Sequence, residues 1–490
     1  MGRHIKKIET QAGIDRRETG YYSTPDFVAE FITQALIELN PQGHTALDPC
    51  VGRGEMVIPL LNQGISVAGM DILPFDLPET INFTRTDFLQ FYQQKKLLSI
   101  LNTPIDLDYD FYLANPPYNC HEVAYIRDNK TQLSRLFGDI GVHNMYALFI
   151  AALIDCAKPG ALIGLITLDS FLTAKAHQNL RHKILQNCAV HYLLLCSNDL
   201  FLDQGADVRT CIMILQKGTD YQGAVKVANR PLNRRDFQRM LIQKQWTELP
   251  LEKITLAGEA DHSEFIIDIP DEVRNLFESP RLGNRFPCVT GISTGSDRTY
   301  LSKHPRPGFT IPFYKNPGSC RFFTKPNAYL IDDFLSVAET IPNFTIRNKS
   351  LLYQPGITCS SMGVTFSACY LPAHSTYGVN ANIITSDSDT WWLLAYLNSH
   401  LVTFIVRSLL NRSNMITSGY VSRIPIPKLS PIALHQMSAI ALEAYQKQVS
   451  PKAAIHYVEQ INQIIWKELD FTADTIAIIQ NFCKNLIRAT

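Results

Sequence analysis

The run Phe111-Tyr112-Leu113-Ala114-Asn115-Pro116-Pro117-Tyr118 constrains this chain more than any other. Its first four residues suit a buried strand, and two consecutive prolines cannot donate to a sheet ladder, so the chain must leave the sheet at that strand's carboxyl end. In α/β folds that end is where ligand sites form. An amide, a stiff diproline and an aromatic ring are therefore delivered together to a binding position.

The flanking pattern supports an α/β sandwich. Pro25 to Asn40 places Phe27, Val28, Phe31, Ile32 and Leu36 at helical spacing. Thr45–Leu47, Val67–Met70, Phe83–Arg85 and Phe111–Ala114 are short apolar runs, each followed by a polar or Gly/Pro loop, and predict strands. Leu148–Ala157 predicts a helix ending at Lys158-Pro159-Gly160, and Leu162–Thr167 and Val208–Leu215 further strands. Beyond Gly218 the stretch to Pro427 is rich in Pro, Gly, Ser and Thr, with strand-like pieces at Thr310–Tyr314, Leu351–Gln354 and Gly363–Cys369. Leu429–Thr490 has apolar residues at helical spacing and predicts two or three helices. The expected organisation is a catalytic domain over 1–240, a second mixed α+β domain over 241–428 and a helical segment over 429–490.

Charge excludes one class of protein. Lys plus Arg and Asp plus Glu are equal at 45 each, so the chain has no global basic field and any nucleic-acid contact must use a local patch. The 11 cysteines include no C-x-x-C pair and no Cys/His cluster with zinc spacing, which predicts free thiols, a reducing compartment and no metal. Met1–Arg17 has no secretory core, and Tyr146–Thr167 and Trp391–Leu410 are interrupted by charged, prolyl or amide residues, which argues against membrane spans. The expected location is cytoplasmic.

The chemistry of the Asn-Pro-Pro-Tyr segment is specific. An exocyclic amino group on an aromatic ring is a poor nucleophile. The side-chain oxygen of Asn115 and the carbonyl of Pro116 can accept its two hydrogens and localise the nitrogen lone pair. Tyr118 can stack on the ring, while Pro117 stiffens the loop. Upstream, Asp48-Pro49-Cys50-Val51-Gly52-Arg53-Gly54 follows a strand with a tight glycine loop, and Val57 stands where a dinucleotide fingerprint would want its third glycine. Asp71-Ile72 ends the next strand, where an acid can accept from ribose hydroxyls. Asp87-Phe88 follows a third, placed to hold an adenine amino group and cover its ring. Together these acids describe an adenosine site.

The sequence resembles the amino-methyltransferases of bacterial restriction–modification systems in their gamma arrangement. Gly20-Tyr21-Tyr22-Ser23-Thr24-Pro25 resembles that family's first cofactor motif, Asp48 to Gly54 its glycine loop, and Asn115 to Tyr118 its catalytic motif. The resemblance implies a Rossmann-like S-adenosylmethionine-dependent methyltransferase fold with a carboxyl-terminal target-recognition domain. It implies Tyr22, Thr24, Asp48, Pro49, Cys50, Gly52, Gly54, Asp71, Ile72, Asp87 and Phe88 as contacts of S-adenosylmethionine. Asn115, Pro116, Pro117 and Tyr118 would hold a flipped base, with Phe201 clamping its second face. Cys50 and Asp169 depart from the family's usual alanine-like residue and proline.

The implied activity is methylation of adenine's exocyclic amino group in a short sequence of double-stranded DNA, by a monomer whose cognate endonuclease is separately encoded. N4-cytosine methylation is the alternative on the same fold, and RNA or protein-glutamine methylation a more remote one. Pro49-Cys50 and Pro287-Cys288 formally match a ring-carbon nucleophile, but the first lies in the cofactor loop and the second has no adjoining acidic loop. Arg230, Arg234, Arg235, Arg239, Lys303, Arg306, Lys315, Arg321 and Lys325 are the expected DNA contacts. Val289–Gly295 and Tyr420–Pro427 loosely resemble segments of recognition domains.

Overall fold

The computed structural model describes residues 21–99, 105–118, 124–219, 223–256, 258, 261–267, 269–363, 365–410 and 415–486. Gly20 and the stretch Met1–Arg17 lie outside them. The chain divides into two compact units, Met1–Ala257 with His262–Asp268, and Gly258–Asp261 with Ile269–Thr490.

The first unit is built on one nine-stranded sheet. Its strands are β1 (Thr45–Asp48), β2 (Ser66–Asp71), β3 (Ile81–Arg85), β4 (Phe111–Ala114), β5 (Leu162–Leu168), β6 (Cys188–Leu195), β7 (Thr210–Lys217), β8 (Val225–Ala228) and β9 (Thr247–Leu249). Their order is β3-β2-β1-β4-β5-β7-β6-β8-β9. The first five run parallel, and β7 enters antiparallel between β5 and β6. This is the Rossmann-like α/β sandwich that the sequence pattern and the family resemblance predict.

Strand periodicity explains why both faces are covered. Ala46, Phe111, Leu113, Leu162 and Ile166 pack into one core with the helices Asp26–Leu39 and Arg234–Ile242. Leu47, Tyr112, Ala114, Ile163 and Leu165 point the other way, into a second core with the helices Phe88–Ser99, Met145–Cys156 and Gln178–Asn187. The helix Met145–Cys156 is almost wholly buried and carries one charged residue, Asp155, which accepts from Tyr92 OH at 2.6 Å and pairs with Lys183 at 2.6 Å.

Strand order reverses between β1 and β4. β2 and β3 are laid down on one side of β1, and the chain then returns to place β4 on the other side. Loops leaving the carboxyl ends of β1 and β4 consequently diverge and open a crevice. Asp48 and Asn115 stand at those two ends.

The second unit holds short, mostly antiparallel strands. One four-stranded sheet joins Cys288–Val289, Asn382–Ile384, Gly356–Cys359 and Ala368–Leu371; another joins Leu301–Ser302, Ala328–Leu330, Ile311–Tyr314 and Thr376–Tyr377. The expected strand at Leu351–Gln354 is absent: Lys349–Leu351 forms a 3-10 turn, and positive φ at Asn348 (50°) and Tyr353 (67°) breaks extended backbone on both sides. Of the expected strand Gly363–Cys369 only Ala368 and Cys369 are extended, within Ala368–Leu371, and Val364 lies outside the described residues. Tyr420–Pro427 is tied into the second unit, its Ile424 carbonyl accepting from Leu282 N–H at 2.8 Å and Ile426 N–H donating to the Pro280 carbonyl at 2.8 Å. The tail forms three helices, Pro431–Gln446, Pro451–Glu468 and Ala473–Lys484, each started by a Ser or Thr side chain accepting from the first turn.

Among the described residues no single helix is long and apolar enough to cross a membrane; the pair Asp387–Leu397 and His400–Leu410 reaches the length and hydropathy only jointly and bends by 66°. Ser399 makes that break by capping the second helix through Val402 N–H.

Candidate active site

The glycine loop is tied to both neighbouring strands. Cys50 N–H donates to Asp48 Oδ1 at 2.9 Å, Val51 N–H to the Met70 carbonyl at 2.9 Å and Gly52 N–H to Asp71 Oδ2 at 3.1 Å. Gly52 and Gly54 have φ of 54° and 84°, and a Cβ on Gly52 would lie 2.8 Å from the Tyr21 ring. Only glycine gives this turn without strain. Cys50 closes the loop against the other strand, its thiol taking a hydrogen bond from the Asn115 backbone.

The acids differ in what they offer. Asp48 is buried, and burial, reinforced by the charges of Asp71 and Glu55, pushes its carboxyl up to about 8. Asp71 is shifted upward too, chiefly by burial, and also accepts from Leu73 N–H at 2.9 Å. Next to it Ile72 is 52% exposed, an apolar side chain left open beside an acid. Asp87 is more committed: Oδ1 accepts from Leu89 and Gln90 N–H at 2.9 and 3.3 Å, and Oδ2 from Tyr125 OH at 2.7 Å. Phe88, expected to cover a ring, is instead 1% exposed and packs on Phe149 with centroids 5.4 Å apart. It opens the helix Phe88–Ser99, and its first-turn position turns it into the core.

Asn115 is held by the segment 21–25. Its Nδ2 donates to the Tyr22 carbonyl at 2.7 Å and to Thr24 Oγ1 at 3.0 Å. With both amide hydrogens committed, Oδ1 is the atom left to accept. Pro116 is buried and Pro117 half-buried. Tyr118 stacks on Tyr22 at 5.7 Å and 21°, and its hydroxyl donates to the Ile166 carbonyl at 3.4 Å. Phe201 is buried and meets Tyr118 edge-on, 6.1 Å away and at 78°. The three aromatic rings thus gather against one another beside Asn115.

Sequence reasoning missed the residues that pin this segment. Tyr21 OH and Ser23 Oγ donate to Glu55 Oε1 at 2.6 and 2.7 Å, while Ser23 N–H and carbonyl pair with the Gln204 side-chain amide at 2.9 and 2.8 Å. Glu55 directly follows Gly54, a position adjacent to a recognised motif. Gln204 carries no local signature.

The basic residues divide sharply. Arg230 pairs with buried Asp169 at 2.5 Å, and Arg321, whose pKa burial lowers, donates to the Asn398 carbonyl at 2.6 Å. Arg234 pairs with Asp203, Arg239 with Asp236 and Lys315 with Asp297. Arg235, Lys303, Arg306 and Lys325 are exposed, Arg306 lying over the Phe309 ring.

Residues 85–264 match the N-6 DNA methylase family. The resemblance to restriction–modification amino-methyltransferases holds. The matched segment contains Asn115 to Tyr118 and Phe201, and the glycine loop precedes it. Over 201 residues the chain is 29% identical to the Type II methyltransferase M.BanIII of Aneurinibacillus aneurinilyticus, which covers 36% of this chain and 34% of that protein. This chain therefore matches about a third of that relative's length. Among solved structures, the Type IIL restriction–modification enzyme MmeI in complex with DNA aligns with a TM-score of 0.60 and 11% identity, over 97% of this chain and 80% of that one. The DrdV–DNA complex aligns with a TM-score of 0.56 and 11% identity, over 88% of this chain and 57% of that one. At such identities the likeness is one of fold.

Proposed function

We propose that this chain is an S-adenosylmethionine-dependent DNA methyltransferase that modifies the exocyclic amino group of adenine in a short duplex sequence. The observation that carries the reading is the Asn115 amide. Its nitrogen is committed to Tyr22 and Thr24, which leaves its oxygen as the acceptor, and Pro116 and Tyr118 follow it in the chain. An acceptor pair beside a stacking face suits an amino group on a planar base, and a donor there would repel it.

Bound S-adenosylmethionine would supply an electrophilic methyl group on a sulfonium sulfur. The glycine loop, Asp48, Asp71 and exposed Ile72 fit that cofactor: small residues at close backbone approach, two acids for its ammonium and ribose hydroxyls, and an apolar side chain for its purine. At the adenine end Asp87 must share a carboxylate already engaged by Tyr125 and two backbone N–H groups. Asn115 and Pro116 would accept the target amino hydrogens, and Tyr118 and Phe201 would flank the base once their mutual contact parts.

A base in a duplex cannot reach this loop unless it is extruded, at a cost of a few kcal/mol. The second unit is assigned the task of offsetting that cost through DNA contacts, with exposed Lys303, Arg306 and Lys325 available for phosphates or base edges. We assign the enzyme to the cytoplasm, as a monomer protecting DNA from a separately encoded endonuclease.

The test is methyl transfer from labelled S-adenosylmethionine to unmethylated duplex DNA by wild type and Asn115→Ala, with the product nucleosides separated. Label in methyladenine, lost in the variant, is the expected result. Label in methylcytosine would keep the chemistry and change the substrate. Label confined to RNA or protein would overturn the proposal.

A further inference from the structure

We propose that Thr24 and Gln204 are positioning residues that set the orientation of the Asn115 amide, an inference that rests on the function proposed above. The two ends of an asparagine amide are nearly equal in shape, so chemistry alone decides which faces the pocket. Turning Asn115 over would bring Oδ1 to the Tyr22 carbonyl, where Nδ2 now donates at 2.7 Å. The second hydrogen goes to Thr24 Oγ1 at 3.0 Å. Thr24 is 3% exposed, so its hydroxyl faces the amide from inside the protein.

That hydroxyl is useful only if segment 21–25 stays in place, and the segment belongs to no helix or strand until the helix Asp26–Leu39 begins. Gln204 supplies what a neighbouring strand would. Its Oε1 accepts from Ser23 N–H at 2.9 Å and its Nε2 donates to the Ser23 carbonyl at 2.8 Å, satisfying both backbone groups of the residue between Tyr22 and Thr24. Gln204 lies in the turn Leu202–Gln204 immediately after Phe201. Glu55 holds the same serine through its hydroxyl at 2.7 Å. The segment thus joins the glycine loop, the Phe201 turn and the amide that meets the base. Thr24 acts on the chemical step, whereas the family resemblance would make it a cofactor contact, and the two roles separate experimentally.

Full-length Thr24→Val, Thr24→Ser and Gln204→Ala are compared with wild type by S-adenosylmethionine titration calorimetry and by single-turnover DNA methylation at saturating cofactor. Thr24→Val should lower the single-turnover rate on the order of 100-fold with cofactor affinity kept within about twofold, because a misplaced acceptor costs rate rather than ground-state binding. Thr24→Ser, which keeps the oxygen, should restore most of the rate, and Gln204→Ala should lose rate with affinity retained. Should Thr24→Val fail to fold, the contrast between Thr24→Ser and Gln204→Ala decides in its place. A full rate at saturating cofactor with weakened cofactor binding would overturn the proposal, as would equal activity of Thr24→Val and wild type. If wild type methylates no DNA, the proposed function fails on its own. The positioning role is then decided by a neutron crystal structure of Thr24→Val, which tells the amide nitrogen from its oxygen: a turned or displaced Asn115 amide supports it, and an unmoved one overturns it.

Discussion

Asp48 sits at the end of β1 with its carboxyl raised from an ordinary 3.8 to about 8, first by burial and then by the charges of Asp71 and Glu55. In the folded chain it keeps a proton that the unfolded chain has released across that interval. Folding therefore takes up a proton, and this group's contribution to stability falls as pH rises from about 4 to about 8. A cationic ligand reverses the preference by favouring the ionised carboxylate, so binding the ammonium of S-adenosylmethionine should release a proton near neutral pH and tighten as pH rises towards about 8. Denaturant unfolding at about pH 5 and about pH 8 should show a decline that Asp48→Asn flattens. Calorimetry in two buffers of different ionisation enthalpy should show proton release from wild type and none from Asp48→Asn. The placement of Asp48 was legible because an acid closing a strand before a glycine loop is a local pattern. Glu55 and Gln204 were not, because their roles depend on the path of segment 21–25, which no periodicity encodes.

At the scale of elements, the helix Arg234–Ile242 and the loop before it show how one basic run divides into structural and exposed members. Arg230 reaches Asp169 just after β5, and their side chains are 16% and 2% exposed. Removing one partner strands a buried charge, so Arg230→Ala should destabilise the protein by about 3 to 5 kcal/mol, read by denaturant unfolding, with Asp169→Asn recovering part of the loss. Arg235 is exposed on the helix itself, and Arg235→Ala should leave stability within about 0.5 kcal/mol of wild type while weakening DNA binding and reducing its salt dependence. The sequence showed both arginines as members of one charged cluster. What separated them is Asp169, 61 residues earlier in the chain, a long-range pairing invisible to local pattern. Elements with local causes were read well. The helix at Asp26–Leu39 and strands β1, β2 and β4 follow from spacing and from the polar residues that end them. Tyr353 and Asn348 defeated the strand expected at Leu351–Gln354 because left-handed residues other than glycine leave no mark in composition.

At the scale of the whole molecule, where the first unit ends is a physical question with a sharp answer. An end at residue 240, as composition suggests, would cut the chain before β9, which pairs with β8 at Val225↔Leu249 and closes the sheet. It would also remove residues 262–267, which fold back onto the first unit: Phe265 N–H donates to the Leu172 carbonyl at 2.8 Å, and Phe265 is fully buried. Arg181 makes the strongest case. It is 0% exposed, its guanidinium donates to the His262 carbonyl at 3.0 and 2.8 Å, and Glu264 lies 3.6 Å away. A chain ending at 240 would keep this cation and lose its carboxylate and two of its hydrogen bonds, a defect costing several kcal/mol in a domain whose total stability is about 5 to 15 kcal/mol. A fragment 1–268 should therefore melt cooperatively and bind S-adenosylmethionine, whereas fragment 1–240 should be largely unfolded by circular dichroism. Within 1–268, Arg181→Met with Glu264→Leu should be tolerated better than either substitution alone, since the pair leaves together. Cooperative folding of 1–240 equal to that of 1–268 would show that the returning segment is dispensable and that the first unit ends where the apolar pattern fades.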